Sequence, residues 1–310
     1  MSAEAESFGR VVDEAIRSAG GVALAQHADA EPAERDKIAA MLGNLGVWDL
    51  EPAADPVQAE AAAAVCRAAG RYALPYPVAE RLSSADPARA ALALVDRDAP
   101  ARVAHLDLDL DWQLCDSRGF VAPVATVGAA FGGKLSRFVC SANPGAWTHT
   151  QTDQAARLIT LQGWTLLGLV EQASQLTYRY VQERIQFGHP LAHFQAIQFT
   201  LTDVAVAVDG LAELAKYALW SSIKGGPAAM VDAVALRLAA TETADTTFRA
   251  GHQLHGAIGF CDETPISWLS RSSQTLRRLP WGLSQTEARL VELVDETTFA
   301  GPFERVRTAL

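Results

Sequence analysis

A chain of 310 residues is long enough to bury a large core and to hold one to three domains. With 49% apolar residues it belongs among globular proteins, and 26 basic against 36 acidic residues leave a net charge of −10 with no Lys/Arg-rich run, which argues against a nucleic-acid or anionic-membrane partner. No early segment has the form of a leader, and no stretch approaches the ~18 uninterrupted apolar residues of a membrane span, so the expected location is the cytoplasm. Cys66, Cys115, Cys140 and Cys261 are far apart and form no Cys-x-x-Cys pair; they read as small buried hydrophobes rather than zinc ligands or disulfide partners.

In chain order, residues 1–82 are Ala-rich with helical periodicity, in pieces at 8–19, 33–45 and 57–74 broken by glycine and proline, and form an N-terminal helical domain. From 83 to 150 the pattern changes to short β-like runs at 91–95, 101–106, 112–116, 119–125 and 136–140, the strands of a small, mainly antiparallel sheet. The alternating Leu-Asp run at 106–112 could hold a divalent cation, but strict alternation more simply puts Asp107, Asp109 and Asp111 on the wet face of a strand. A polar linker at 143–152 leads into a segment, 151–310, that stays helical to the end. The expected fold class is mainly α with a small β domain, in the order helical, β, helical.

The stretch from Arg157 to Ile197 organises the chain. Leu158, Leu161, Trp164, Leu167, Val170, Ala173, Leu176, Tyr180 and Val181 make one continuous helical face. Gly188, free to take positive φ, and Pro190 stop that helix; Leu191, Phe194, Ile197, Leu201, Val204 and Val208 begin another. A plain helical hairpin needs only a cap and a glycine. Here Arg184, Gln186, His189, His193 and Gln195 crowd around Phe187, and an arginine beside an aromatic and amides can hold a phosphate and a planar ring; an ordinary solvated turn is the competing account.

Three further stretches are expected to be helical: 207–223, which continues the second long helix or is its successor, 227–252 and 284–297. After the second of these, His252-Gln-Leu-His-Gly-Ala-Ile-Gly-Phe260 has glycines that admit close backbone approach, and Gln253 offers both donor and acceptor. His252 and His255 are spaced like weak metal ligands, but no third ligand is evident.

Four motifs recur together: Tyr180 to Gly188, Phe194-Gln195-Ala-Ile197-Gln, Gln253 to Phe260, and Gly282-Leu-Ser-Gln285. Over 153–300 this resembles the C-terminal helical domain of the acyl-CoA dehydrogenases. The resemblance implies a C-terminal four-helix bundle that forms the oligomer interface. It implies FAD as cofactor, with Arg184, Gln186 and Phe187, backed by Leu191, Gln195 and Ile197, holding the adenosine and pyrophosphate portion of a flavin belonging largely to a neighbouring subunit. Gln253, Gly256 and Ala257 would touch the same end, Ala257 standing where the family usually has a second glycine.

The family's reaction is α,β-desaturation of an acyl-CoA, with a glutamate as base in a Tyr-Glu-Gly-Thr segment. This chain has Trp281 at that position, and an indole cannot accept the proton. Relatives that place the glutamate at the start of the long helix would have it near Leu158, where no acid lies between Asp153 and Glu171; Asp153 reads as an N-cap. The middle region is short and lacks the family's Thr-Glu-Pro and Trp-Ile-Thr segments.

No catalytic residue is therefore expected here. The resemblance narrows to the shortened, non-catalytic subunit of heteromeric α2β2 dehydrogenases of actinobacterial steroid catabolism. It implies a full-length homologue as partner, carrying the base and most of the acyl-CoA site, with an electron-transfer flavoprotein as candidate acceptor. Two alternatives stay open: a self-sufficient homo-oligomeric flavoenzyme with Asp153 as base, and a flavin-free scaffold.

Overall fold

The computed structural model describes residues 1–133, 135, 138–150 and 153–297. Helices α1 (Ala3–Ser18), α2 (Val22–Ala30), α3 (Arg35–Asn44), α4 (Pro56–Arg71) and α5 (Val78–Leu82) come first. Caps mark two of the starts: Ser2 Oγ accepts from Ala5 N at α1, and Asp55 from Val57 N at α4, ahead of Pro56. The expected pieces correspond to α1, α3 and α4. Helix α2 was not foreseen because it buries only Ala25 and Ala28, too little apolar bulk to register as periodicity.

Strands β1 (Ala90–Leu94), β2 (Arg102–Ala104), β3 (Asp111–Cys115), β4 (Phe120–Ala130), β5 (Val139–Pro144) and β6 (Thr148–His149) form the sheet, in the order β1-β3-β4-β5-β2 with β6 beside β4. Among the described residues of this sheet, only the β1–β3 pairing is parallel. The Leu-Asp run is not a strand up to residue 110: it turns, with Leu106 buried and Asp107 outside, because Arg35 on α3 pulls the Asp107 carboxylate into a two-pronged ion pair. Residues 136–137 of the last expected strand and 151–152 of the linker lie outside the described residues.

Helices α6 (Gln154–Glu183), α7 (Gln195–Lys224), α8 (Pro227–His255), α9 (Pro265–Arg278) and α10 (Leu283–Thr297) complete the chain. The stretch expected either as one helix or as two successive ones after Gln195 is a single 30-residue helix, α7. Helix α9, rich in Ser and Arg, was not expected; it is anchored by Ile266, Trp268 and Leu269.

Helix α6 is the central post. It buries residues around most of its circumference, from Leu158 and Trp164 to Val181, and packs against α4, α5, α7, α8 and α9. The α4–α6 crossing is a backbone contact: a Cβ on Gly70 would lie 1.9 Å from Thr165 O, and one on Gly168 1.9 Å from Arg67 O. Above the crossing, Glu171 accepts Arg67 Nε at 2.8 Å and Arg71 Nη2 at 3.3 Å, and Arg71 Nη1 reaches Asp13 on α1 at 3.2 Å. One apolar cluster runs unbroken from the first five helices into the bundle, while the sheet keeps a smaller core around Trp112 and Leu114. Cys66, Cys115 and Cys140 are buried as expected; Cys261 is exposed, because it follows the last turn at the open end of α8.

Candidate functional site

Helix α6 ends where Arg184 takes an extended conformation (φ −76°, ψ 113°). The Leu191 amide then donates to Arg184 O at 2.9 Å, closing a hairpin in which Ile185 pairs with Pro190 and Gln186 with His189. Its two central residues, Phe187 (φ +53°) and Gly188 (φ +84°), are both left-handed, the geometry of a type I′ turn. Glycine accepts this freely. A phenylalanine does not, and here it is also 88% exposed, so the fold holds a strained aromatic ring out in solvent. Arg184 beside it is exposed, and its guanidinium has no ion pair or hydrogen bond among the described residues.

Gln195 begins α7 directly after the hairpin. The preceding Phe194 gives that 30-residue helix no side-chain cap, so the amide groups of its first turn are open to an anion. Leu191 and Ile197 are half-buried beneath the hairpin.

The second motif comes to the same end of the bundle. Helix α8 stops at Gly256 (φ +64°), with open space where a Cβ would project, and Gln253, Gly256 and Ala257 are exposed. Tyr180 on the last turn of α6 ties the two motifs together: its ring stacks on His255 at 4.2 Å and its hydroxyl donates to His255 O at 3.4 Å. A free cation, an aromatic plate, an uncapped helix start and an open glycine suit one half of an anionic dinucleotide, and the set fits the adenosine and pyrophosphate end of FAD.

The two histidines are structural. His252 Nδ1 lies 2.9 Å from Gly259 O and its Nε2 2.9 Å from Ser270 Oγ, so both ring nitrogens are used. His255 Nδ1 bonds Gly251 O at 2.8 Å, and burial holds its pKa below the usual range.

The two positions considered for a base are also accounted for. Trp281 is buried, and its indole N–H donates to Asp96 Oδ2 at 3.3 Å. Its carbonyl and that of Leu279 are both capped by Arg237 Nη2, at 2.8 and 2.7 Å, so the segment is clamped to α8. Asp153 does stand at the N-cap position of α6, but it does not bond the helix's first amides; its Oδ2 accepts from Gly226 N at 3.2 Å, at the α7–α8 turn and at the opposite end of the bundle from the hairpin.

A cavity of about 550 Å3 opens elsewhere, between α4–α5, β1–β2, α6 and α9, and none of the sequence-predicted site residues lines it. Glu80 does. Sequence reasoning missed this carboxyl because its partner, Gln162 Nε2 at 2.8 Å, lies 82 positions away on α6. Burial raises the Glu80 pKa, partly offset by the Gln162 bond.

Residues 156–291 match the model of the acyl-CoA dehydrogenase C-terminal domain. Acyl-CoA dehydrogenase IpdE2 of Mycobacterium tuberculosis is 30% identical over 221 residues, 64% of this chain and 66% of that protein. Acryloyl-CoA reductase (NADH) of Anaerotignum propionicum is 31% identical over 112 residues, 36% of this chain but 28% of the relative, so the chain spans well under a third of that protein. Two solved structures share the architecture: the ChsE4-ChsE5 complex from Mycobacterium tuberculosis (TM-score 0.76, 17% identity, 96% of this chain and 98% of that one) and a variant of the Tcur3481-Tcur3483 steroid ACAD (0.78, 16%, 95% and 98%). The chain has the acyl-CoA dehydrogenase fold, and its residues 156–291 form an acyl-CoA dehydrogenase C-terminal domain.

Proposed function

We propose that this chain is the non-catalytic subunit of a heteromeric FAD-dependent acyl-CoA dehydrogenase. It lends Arg184, Gln186, Phe187, Leu191, Gln195, Ile197, Gln253, Gly256 and Ala257 to a flavin that lies mostly on a full-length partner. The observation that carries this reading is the hairpin itself, where a strained, exposed Phe187 and an Arg184 guanidinium without a partner among the described residues project from the bundle. The surface beside it supports an interface: along α7, Phe199 is 67% and Val206 68% exposed, on the face turned away from buried Val204, Val208 and Leu211.

When bound, FAD supplies the acceptor for a hydride leaving the β carbon of an acyl-CoA. Arg184 pairs with the pyrophosphate, the first amides of α7 add donors to the same anion, and Phe187 covers the adenosine portion. Proton removal falls to a carboxylate of the partner, since Trp281 is committed to Asp96. A bulky steroid side-chain thioester is the substrate class that the likeness to a two-component steroid enzyme favours, with an electron-transfer flavoprotein as acceptor and an α2β2 assembly in the cytoplasm.

Co-expression with a full-length homologue, size-exclusion chromatography and a flavin absorbance spectrum test the proposal. The expected result is a heteromer that holds FAD and desaturates acyl-CoA, while Arg184→Ala leaves the heteromer intact and strips flavin from it. Stoichiometric FAD and dye-linked dehydrogenation by this chain alone would overturn it, and an Arg184→Ala complex with full flavin content would leave only a scaffold role.

A further inference from the structure

The two halves of the half-site stand on different helices, Arg184 and Phe187 beyond the end of α6, Gln253 and Gly256 at the end of α8. A ligand that meets both binds best when their separation is set in advance, because it then bears none of the cost of ordering them. One turn below the site the elements already converge: a Cβ on Gly251 would lie 3.3 Å from Thr177 Oγ1 on α6 and 3.0 Å from Ile266 Cδ1 on α9. Tyr180 follows Thr177 by three positions and His255 follows Gly251 by four, so their ring stack, with 4.2 Å between centroids and 20° between planes, is the next layer of the same contact. The imidazole is held for it. Gly251 O can only accept, so His255 carries its proton on Nδ1 and donates it there at 2.8 Å.

Two bonds of Tyr180 then reach the backbone of the half-site. Its carbonyl accepts the Arg184 amide at 2.8 Å, where α6 gives way to extended chain, and this sets the point at which Arg184 leaves the helix. Its hydroxyl donates to His255 O at 3.4 Å. That carbonyl shares a peptide plane with the Gly256 amide, which itself donates to Gln253 O and His252 O, so the plane is held at both ends just before the left-handed Gly256. Carbonyls in the last turn of a helix lack intrahelical donors, and the hydroxyl takes a place that water would otherwise take. Leucine would meet the needs of packing here; tyrosine adds a flat ring matched to the imidazole and a donor that reaches the main chain.

We propose that Tyr180 is a positioning residue of the flavin half-site, holding Arg184 through its carbonyl and the Gly256 turn through its ring and hydroxyl at one separation, so that both meet the cofactor together. This role rests on the reading of the hairpin as a flavin half-site.

The test is the dissociation constant of FAD for the co-expressed complex stripped of flavin, followed by flavin fluorescence, in Tyr180→Phe, Tyr180→Leu, His255→Leu and the Tyr180→Leu/His255→Leu double variant, with Arg184→Ala alongside. Tyr180→Phe keeps the stack and loses the hydroxyl bond, so it should weaken FAD binding about threefold; Tyr180→Leu loses both and should weaken it about tenfold, while the elution volume and helical circular dichroism of the flavin-free complex stay as in the wild type. Because the ring acts through His255, the double variant should lose no more affinity than the weaker-binding of the two single variants. Unchanged affinity in Tyr180→Leu beside a loss in Arg184→Ala overturns the positioning role and leaves the half-site standing, whereas unchanged affinity in both overturns the half-site and the role with it. Additive losses in the double variant also overturn the role. Should Tyr180→Leu fail to assemble, Tyr180→Phe decides: affinity equal to the wild type refutes the proposal.

Discussion

His105 makes this protein sensitive to acid in a way that can be worked out from its surroundings. The residue follows β2 with φ +66°, its ring stacks on Phe138 at 5.5 Å, and its Nδ1 lies 3.3 Å from Arg35 Nη1. A guanidinium can only donate, so Nδ1 accepts and the ring proton sits on Nε2. Protonating Nδ1 would break that bond and set two cations together in a buried place. Burial first, and Arg35 second, hold the imidazole at about 3, with Asp107 opposing. In the unfolded chain the ring titrates near its ordinary 6.5. Below that value the unfolded state takes up a proton that the native state refuses, so stability falls as pH falls. Between pH 7 and pH 5 the difference amounts to about 2 kcal/mol, at 1.36 kcal/mol per unit. The matched variant is His105→Asn, because asparagine tolerates left-handed backbone. Urea unfolding of both proteins at the two pH values is the assay. The wild type is expected to lose about 2 kcal/mol more than the variant on acidification. Equal losses would mean that His105 is protonated in the folded protein and that the Arg35 geometry has been misread.

Three further outcomes follow from buried groups. Trp281→Glu puts a carboxylate beside Asp96 and removes a packed indole, so it should destabilise by about 3–5 kcal/mol in a thermal melt and yield no dye-linked dehydrogenation; a variant that desaturated acyl-CoA unaided would show that position 281 reaches a reacting carbon. Gly168→Ala drives a methyl into Arg67 O and should cost about 1–3 kcal/mol or more in chemical denaturation, whereas an unchanged midpoint would mean that α4 and α6 are not in backbone contact. Glu80, whose native carboxyl keeps its proton above the ordinary 4.5, makes a contribution to stability that falls as pH rises past that value, since the unfolded chain gives up the proton first; Glu80→Gln should flatten the corresponding fall in melting temperature, and parallel curves would place an ionised carboxylate in the cavity.

Although α6 stops at Glu183, where the chain turns into the hairpin, five residues ahead of the expected stop at Gly188, its long apolar period and the polar crowd around Phe187 were legible in the sequence because each depends on residues within a few positions of one another. The same holds for β1 to β4 and for the glycine that ends α8, where local propensity and alternation act within a single element. That Trp281 itself offers no base was legible from chemical type alone, since an indole cannot accept a proton.

Tertiary structure decided the rest, and in each instance the deciding partner is remote along the chain. Asp107 leaves its strand pattern for Arg35, which lies 72 residues earlier. Asp153 forsakes the cap for a turn 73 residues on, and Glu80 becomes a buried acid paired with Gln162, 82 positions away on α6. Periodicity records which face of an element is apolar. Which polar groups lose their water, and so shift their protons or seek one another, depends on how the faces meet, and that is settled only when the whole core closes.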